Sequence, residues 1–168
     1  RVCDDGGRVL PAGEVGVVEV RGPNVFKGYW RMPEKTAGEF RADGWFITGD
    51  LATMDDSGRV TIVGRAKDLI ISGGYNVYPK EIETEIDAID GVKESAVVGV
   101  PHPDFGEAVT AAVVTDGDRQ LSESDIVGQL AGRLAKFKQP KKLFFLSELP
   151  RNTMGKVQKN QLRDLFGD

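Results

Sequence analysis

The sequence changes its pattern near Gly64, and this change constrains the fold more than any other feature. Before Gly64, glycines separate short runs of alternating apolar residues, and two of these runs, 15–20 and 60–63, predict β-strands. Between them, residues 55–58 (Asp-Asp-Ser-Gly) predict a turn that joins antiparallel strands. The first third of the chain therefore predicts small β structure that is too short to bury a core alone.

From Asp68 onward, the pattern predicts a compact α+β domain of roughly 100 residues. Segments 95–100, 108–115 and 143–146 are apolar and predict three strands. Pro79 suits the first turn of a helix that Gly91 would end, with an apolar face of Ile82, Ile86 and Ile89.

Two further helices are predicted near the end of the chain. Residues 122–125 resemble a capping box, and the helix after it would bury Ile126, Val127, Leu130, Ala131 and Leu134. A short final helix would bury Leu162, Leu165 and Phe166. The predicted fold class is therefore α+β, with a β-rich first part and a second part of about three strands with helices.

Composition and charge exclude several classes of protein. The chain has 168 residues, 40% of them hydrophobic, and no window approaches the ~18 apolar residues of a membrane-spanning helix. Cys3 is the single cysteine, so no internal disulfide can form, and with no signal-peptide pattern we expect a cytoplasmic protein. The missing Met at position 1 indicates that the natural protein begins further upstream.

Three segments contain residues suited to binding a nucleotide. Asp50 ends the segment Gly44–Asp50, and a carboxylate after Thr-Gly can accept two hydrogen bonds from a ribose diol. Arg65 lies in the segment Gly64–Glu83 and offers a planar fork of donors for phosphate or ribose. Lys156 ends the loop Pro150–Lys156 and has a long stem that reaches an anionic centre. Taken singly, each segment is also explained as a solvated turn.

Together, in this order and spacing, the three segments resemble the adenylate-forming superfamily of acyl-CoA synthetases, peptide-synthetase adenylation domains and luciferases. The resemblance covers essentially the whole chain, and residues 105–111 with the terminal motif are most similar to malonyl-CoA synthetases. It implies that residues 1–66 are the β-rich end of a large N-terminal AMP-binding domain. Residues 67–168 would then be the C-terminal domain, with a hinge at Lys67.

The resemblance also implies roles for single residues. Asp50 would bind the ribose hydroxyls of ATP or AMP, and Arg65 would contact the nucleotide near the ribose and phosphate. Gly74 would line the tunnel for the pantetheine of CoA, with Tyr75 nearby. The remaining two assignments are Asn76, which would approach the adenylate, and Lys156, which would be the catalytic lysine of adenylation and a target of acetylation.

The implied reaction has two steps and needs parts that this chain lacks. ATP and a carboxylic acid give an acyl-adenylate and pyrophosphate, and the thiol of CoA then displaces AMP. The phosphate loop, the acyl pocket and the Mg²⁺ ligands are expected outside this sequence, in the protein's own N-terminal domain, and no metal ligands are assigned here. We therefore expect the chain alone to be inactive. A protein acetyltransferase and a deacylase are the implied partners at Lys156.

Other functions remain open from the sequence. Within the superfamily, the alternatives are a peptide-synthetase adenylation domain and a ligase for a fatty or aryl acid. From Gly132 onward there are nine Lys and Arg against three Asp and Glu, which also fits a module that binds phosphate or nucleic acid. Nucleic acid is disfavoured, because few aromatic residues lie among these basic residues and the pI is about 5.2.

Overall fold

The computed structural model describes residues 1–117 and 121–167. The chain divides into two compact units, residues 1–67 (unit 1) and residues 68–168 (unit 2). Both units combine antiparallel strands with helix, so the fold class is α+β, as predicted. No helix among the described residues is both long and apolar enough to cross a membrane.

Unit 1 is built on a four-stranded antiparallel sheet. Its strands, in the order β1-β2-β3-β4, are β1 (Val2–Cys3), β2 (Gly16–Val20), β3 (Phe46–Met54) and β4 (Val60–Arg65). The predicted turn at 55–58 joins β3 to β4, because the Asp55 carboxylate accepts hydrogen bonds from the backbone N–H groups of Ser57 and Arg59, at 2.9 and 3.0 Å. One short helix, α1 (Pro33–Glu39), precedes β3.

The apolar core of unit 1 is small. Val2, Val18 and Ala52 form its buried centre, with Leu10 and Met54 packed against them. A buried carboxylate, Glu19, lies in the same sheet. A cluster of rings in edge-to-face and tilted contacts adds to the packing of the unit; its members are Phe26, Tyr29, Phe40 and Phe46. Unit 1 therefore depends on polar and aromatic contacts as much as on aliphatic burial.

Unit 2 is organised around a long hairpin of β7 (Val92–His102) and β8 (Gly106–Thr115). Strands β5 (Ile70–Ser72) and β6 (Tyr75–Val77) form a second hairpin, which joins the start of β8 through the pair Ser72 and Gly106. Further along the same side of β8, β9 (Lys142–Phe145) pairs in parallel. Strand β7 consequently lies at an edge of the described sheet.

The two faces of the β7–β8 hairpin bury different elements, because successive side chains in a strand point to opposite faces. On one face, Val97 and Val109 pack with helices α2 (Pro79–Asp87) and α3 (Glu123–Leu130). On the other face, Ala96 and Val98 pack with helix α4 (Lys159–Phe166). Unit 2 therefore has a closed apolar core on each side of its sheet.

Several predicted boundaries differ from the structure. Helix α2 ends at Asp87, so Ile89 is buried just beyond it and Gly91 follows at a positive φ of 92°. The capping box of α3 is present at Ser122, but Ala131 lies past the helix end and is exposed. Leu165 is 61% exposed, so Leu162 and Phe166 alone form the buried face of α4.

Strands β1, β3, β5 and β6 and helix α1 were not predicted as such. Strand β3 contains Asp50, whose Thr-Gly-Asp sequence is typical of a turn, and α1 lies where the sequence predicts only β structure. The hairpin β5–β6 adds two strands to the three predicted for unit 2. Its strands have three residues each, too few for alternation to show in the sequence.

Candidate functional site

Asp50 and Arg65 are direct neighbours across strands β3 and β4. One guanidinium nitrogen of Arg65, Nη1, lies 2.9 Å from the Asp50 carboxylate. The Asp50 side chain is 30% exposed and that of Arg65 51%, so both keep donor and acceptor atoms open to solvent. The pair is therefore a two-residue polar group with a carboxylate for hydroxyls and a planar cation for phosphate.

The backbone before Asp50 is specialised in a way that exposes this pair. Gly49 has a φ of 74°, a backbone conformation that residues with a Cβ rarely adopt. The Thr48 hydroxyl donates to the carbonyl oxygen of Val18 at 2.9 Å and accepts from the N–H of Asp50 at 3.1 Å. These bonds tie the Asp50 backbone to strand β2, so the carboxylate projects from a fixed point.

Lys67, the expected hinge, lies in a single 3₁₀ turn between two anchored residues. On its N-terminal side, Arg65 is paired with Asp50 within unit 1. On its C-terminal side, Asp68 accepts a 2.9 Å hydrogen bond from Arg163 of α4 within unit 2. Lys67 itself is exposed, and the boundary between the two units falls directly after it. Only residues 66 and 67 therefore separate a residue that is ion-paired within unit 1 from one that is ion-paired within unit 2.

Gly73 and Gly74 form the two-residue turn between β5 and β6. Their φ values of 58° and 82° are both positive, as the tight hairpin turn of type I′ requires. The turn is attached to the β7–β8 connection, because the N–H of Gly73 donates to the carbonyl oxygen of Phe105 at 2.9 Å. Apart from Gly74 itself and its two chain neighbours, no heavy atom of the described residues lies within 4 Å of a Cβ built on Gly74, so its backbone is open to a ligand.

An exposed face with aromatic rings and lysines surrounds this turn. Tyr75 is 59% exposed and stacks on Phe137 with ring centroids 4.6 Å apart. The Lys141 ammonium lies 4.9 Å from the centre of the Phe105 ring. Asn76 is exposed on β6 next to Tyr75. Flat rings and cations at a surface are the groups that bind an adenine nucleotide by stacking and charge.

A side chain of β8 fixes the β5 end of this face. Glu107 Oε2 accepts a 2.7 Å hydrogen bond from the N–H of Ile71. A Cβ built on Gly99 would lie only 2.5 Å from Glu107 Oε1, which is too close for two atoms that are not bonded. A glycine at 99 therefore makes room for Glu107. The sequence contains Glu107 in a segment characteristic of the family, but nothing in the sequence indicates this contact.

Lys156 lies at the end of a tight, well-bonded loop. Asn152 accepts hydrogen bonds on its Oδ1 from the N–H groups of Met154 and Lys156, at 3.0 and 2.9 Å. Gly155 turns the chain at a φ of 77°. The Lys156 side chain is exposed, and within residues 1–117 and 121–167 its ammonium has no ion-pair partner. The arrangement holds the backbone and leaves the charge available.

The predicted site residues are divided between the two units. Asp50 and Arg65 lie together in unit 1, whereas the Gly74 hairpin and Lys156 lie in unit 2. Within unit 2, Ser72 pairs with Gly106 at the start of β8, and the Lys156 loop is tied to Glu94, which pairs with Val114 near its end. At ~3.3 Å per residue, these ends of β8 are about 25 Å apart.

No group of three or more His, Cys, Asp or Glu among the described residues is arranged to hold a metal ion. One tyrosine near Arg65 has a perturbed pKa. The hydrogen bond to Glu39, followed by burial, raises the pKa of Tyr29, and the nearby positive charge of Arg65 opposes the shift. Tyr29 therefore stays protonated at neutral pH and acts as a hydrogen-bond donor to Glu39.

Comparisons with known proteins agree on one family. Residues 81–156 match the family model of the AMP-binding enzyme C-terminal domain. The chain is 48% identical to a methyl-dioxo-octahydro-indenyl-propanoyl:CoA ligase of Rhodococcus jostii (strain RHA1), covering 97% of the chain and 33% of that relative. It is 44% identical to a feruloyl-CoA synthase of an Amycolatopsis species, covering 99% of the chain and 34% of the relative.

Solved structures give the same result. The crystal structure of ATP-bound MatB from Rhodopseudomonas palustris superposes with a TM-score of 0.94 and 63% sequence identity, over 100% of this chain and 34% of that one. The chain therefore belongs to the adenylate-forming superfamily of AMP-binding enzymes. Within it, the chain is related to the acyl-CoA ligases and spans about a third of the length of the relatives it matches.

Proposed function

We propose that this chain is the C-terminal part of an AMP-forming carboxylate–CoA ligase and that it acts in both steps of the reaction. In the first step, a carboxylate attacks the α-phosphate of ATP, giving acyl-adenylate and pyrophosphate. In the second, the CoA thiol attacks the acyl carbon and releases AMP. The observation that carries the proposal is the match of the whole chain to acyl-CoA ligases, at 63% identity to ATP-bound MatB.

In this proposal Asp50 accepts hydrogen bonds from the two ribose hydroxyls, and Arg65 places a positive charge near the phosphate. Their mutual 2.9 Å contact supports the assignment, since it keeps both side chains in one orientation before the nucleotide binds. Mg²⁺ would be held by residues outside this chain. The role of these two residues is to position the nucleotide rather than to transfer protons.

Lys156 would act in the adenylation step. As the carboxylate attacks, negative charge shifts onto the oxygens of the α-phosphate and the pyrophosphate, and a free ammonium on a fixed loop stabilises it. Support comes from the Asn152 bonds that hold the loop and from the ammonium's having no ion-pair partner among the described residues. The chemistry needs the charge, so acetylation of Lys156 would abolish this step.

Gly74, Tyr75 and Asn76 would face the thiol substrate in the second step. The open backbone at Gly74 would let the pantetheine arm pass closely, and the surrounding rings and lysines would suit the nucleotide end of CoA, with Asn76 approaching the adenylate. Because this face and the Lys156 loop are at opposite ends of β8, the two cannot serve one reacting carbon in the same position of unit 2. A rotation at Lys67 between the steps would resolve this conflict.

The acyl substrate we propose is malonate. Support comes from the similarity of residues 105–111 and of the terminal motif to malonyl-CoA synthetases, and from the 63% identity to MatB. The wider family also contains relatives named for feruloyl and other acyl groups. We place the enzyme in the cytoplasm, and a protein acetyltransferase and a deacylase acting on Lys156 belong to the same proposal.

The test uses the longer protein that contains this chain, assayed separately for pyrophosphate release and for thioester formation from supplied acyl-adenylate. Lys156→Ala should slow pyrophosphate release by about 10²- to 10³-fold, the usual effect of removing a preorganised charge, and leave thioester formation nearly unchanged. Lys136→Ala, another exposed lysine of unit 2, is the matched control. Equal loss in both half-reactions would contradict the assignment of Lys156.

Lys67→Pro in the same protein tests the hinge. Proline fixes φ near −65°, so thioester formation should fall more than adenylation.

The isolated chain should release no pyrophosphate from ATP and malonate above background.

Incubation of the isolated chain with acetyl-CoA and a candidate acetyltransferase should modify Lys156, and mass spectrometry would detect this modification. Modification of the other lysines with Lys156 untouched would reject the acetylation proposal.

A further inference from the structure

The Lys156 loop is bound to the sheet of unit 2 through the side chain of Arg151. Arg151 donates from Nη1 to the carbonyl oxygen of Gly155 at 2.7 Å, directly before Lys156. Its other terminal nitrogen, Nη2, is hydrogen-bonded and ion-paired with Glu94 of β7. One guanidinium therefore joins the backbone next to Lys156 to a carboxylate on a strand.

Glu94 is placed for this contact by an irregularity in β7. The β7–β8 register shifts between Val92 and Glu94, and such bulges re-aim the side chain that follows them. Glu94 is then two residues before Ala96, so both side chains are on the α4 face of the sheet, where Val157 also packs. The loop that begins at Arg151 and ends at Val157 is thus held over this face at its two ends, which also form a β-bridge.

We propose that Arg151 and Glu94 are positioning residues that fix the Lys156 backbone for adenylation, a proposal that rests on the role proposed for Lys156. The Lys156 side chain has a long flexible stem, so its ammonium is placed only as well as its Cα is held. The Asn152 side chain accepts two hydrogen bonds from within the loop and so closes the loop on itself, whereas the Arg151–Glu94 clamp attaches the loop to the sheet. Loss of the clamp should leave the loop folded but less well placed.

A second ion pair of unit 2, between Arg133 and Glu85, has similar exposure to the Arg151–Glu94 clamp but lacks a direct hydrogen bond. Arg133 and Glu85 are 46% and 35% exposed, close to the 42% and 26% of Arg151 and Glu94. Their closest atoms are 3.5 Å apart, against a direct hydrogen bond in the clamp. Such pairs contribute little to structure or stability. Arg133→Met is therefore a matched control, with similar exposure and the same change of charge.

The first readout is amide hydrogen exchange of the peptide covering residues 151–157 in the longer protein. Arg151→Met should speed exchange in this peptide by about tenfold, the effect of removing bonds to a charged donor. Arg133→Met should leave it unchanged. Arg151→Lys keeps the charge but has a single terminal nitrogen, so it should give an intermediate rate.

The second readout is the kinetics of pyrophosphate release in the same variants. Arg151→Met should lower kcat about 10- to 100-fold, as expected when a reacting group is displaced by a fraction of an ångström to an ångström. The KM for ATP should change little, because the substitution leaves Asp50 and Arg65, the residues proposed to bind the nucleotide, and their ion pair within unit 1 unaltered. Glu94→Gln should have a smaller effect, and the double variant should be no worse than Arg151→Met alone, since both break one clamp.

The outcomes separate this proposal from the proposed function. Unchanged loop exchange in Arg151→Met, or a lower kcat that Arg133→Met reproduces, overturns the clamp. Full adenylation by Lys156→Ala overturns the role of Lys156, and faster loop exchange in Arg151→Met would then still establish the clamp as a structural contact. Retained thioester formation in Arg151→Met shows that the variant is folded.

Discussion

Units 1 and 2 of the chain are stabilised by different kinds of interaction. Unit 2 buries aliphatic side chains on both faces of its β7–β8 hairpin. Unit 1 has a small apolar core, and its most deeply buried charged group, Glu19, is held by Arg1 and Arg41. The difference teaches that a lost methyl group should matter most in unit 2 and a lost charge most in unit 1.

The units also present their candidate site residues differently. In unit 1, Asp50 and Arg65 project from paired strands, whose ladder fixes both side chains. In unit 2, Gly74 and Lys156 lie in turns that close at positive-φ glycines. Under the proposed function this difference is useful: a pair that binds a nucleotide benefits from a rigid frame, whereas backbone that lets a ligand pass, or a lysine that reaches it, is suited to a turn.

The largest expected effect is a core truncation in unit 2. Ile86 is fully buried in α2, and Ile86→Ala should lower the free energy of unfolding by about 2–5 kcal/mol, through lost burial and a residual cavity. Urea unfolding followed by far-UV circular dichroism measures this loss.

Val18→Ala is the corresponding change in unit 1. Val18 is 9% exposed and has few buried neighbours, so the loss should be smaller. Both tryptophans, Trp30 and Trp45, lie in unit 1, so their fluorescence follows that unit selectively. Equal losses in one coincident transition would contradict the comparison.

The second effect is the loss of the buried charge in unit 1. The Glu19 carboxylate accepts three hydrogen bonds of 2.7–2.9 Å from Arg1 and Arg41, and an amide cannot replace them all. Glu19→Gln should lower the stability of unit 1 by about 2–3 kcal/mol, as removal of charged hydrogen bonds does. The Trp45 fluorescence change in urea measures it, because the Arg1 guanidinium that binds Glu19 also lies 4.1 Å from the centre of the Trp45 ring.

The same carboxylate predicts how unit 1 responds to pH. Burial alone would raise the pKa of Glu19, but the bonds to Arg1 and Arg41 outweigh it, so the pKa is lowered. A lowered pKa stabilises the fold fully above the unfolded value of about 4.3 and loses this contribution as the pH falls through the folded value. The free energy of unfolding of unit 1 in the unmodified protein should therefore fall below about pH 4, and that of the Glu19→Gln variant should depend less on acid. An equal acid response of both proteins would reject the role of Glu19.

The third effect lies at the open edge of β7. Glu83 Oε1 accepts hydrogen bonds from the N–H of Val97 at 3.0 Å and from the Lys159 ammonium at 2.6 Å. Glu83→Gln keeps an acceptor for Val97 and loses only the charged interaction. The free energy of unfolding of unit 2, measured by circular dichroism in urea, should therefore fall by about 1–2 kcal/mol. Glu85→Gln, on the exposed side of the same helix, is the control, and an equal loss there would argue against the Glu83 contact.

Much of unit 2 could be predicted because its signals are local. The capping box at Ser122 and the spacing of Ile82 and Ile86 are patterns within single turns, and both are present in the structure. The hairpin β5–β6 was missed because its strands are short and it is defined by its turn and by pairing to the distant Gly106. The prediction that Leu165 is buried was wrong, because the spacing of apolar residues does not show which side of a short helix faces the sheet.

The candidate site was predictable as a set of positions rather than as contacts. Resemblance supplied Asp50, Arg65 and Lys156, but not the ion pair between the first two. Arg151 is in the recognised terminal motif, yet its partner Glu94 is 57 residues earlier in the chain. Contacts of such sequence separation depend on the strand register, and here on a bulge, which no local pattern encodes.

The smallest expected effect on stability comes from the residue with the largest proposed effect on activity. Lys156 is exposed and forms no ion pair with another described residue, and its loop is closed by backbone and Asn152 bonds that Ala keeps. Lys156→Ala should therefore change the free energy of unfolding by less than about 0.5 kcal/mol, as surface substitutions away from special contacts do. Circular dichroism in urea measures it, with Lys136→Ala as the control. A loss above about 1 kcal/mol would mean that Lys156 supports the fold, and a lower rate of adenylation in that variant would then no longer indicate a role in the chemistry.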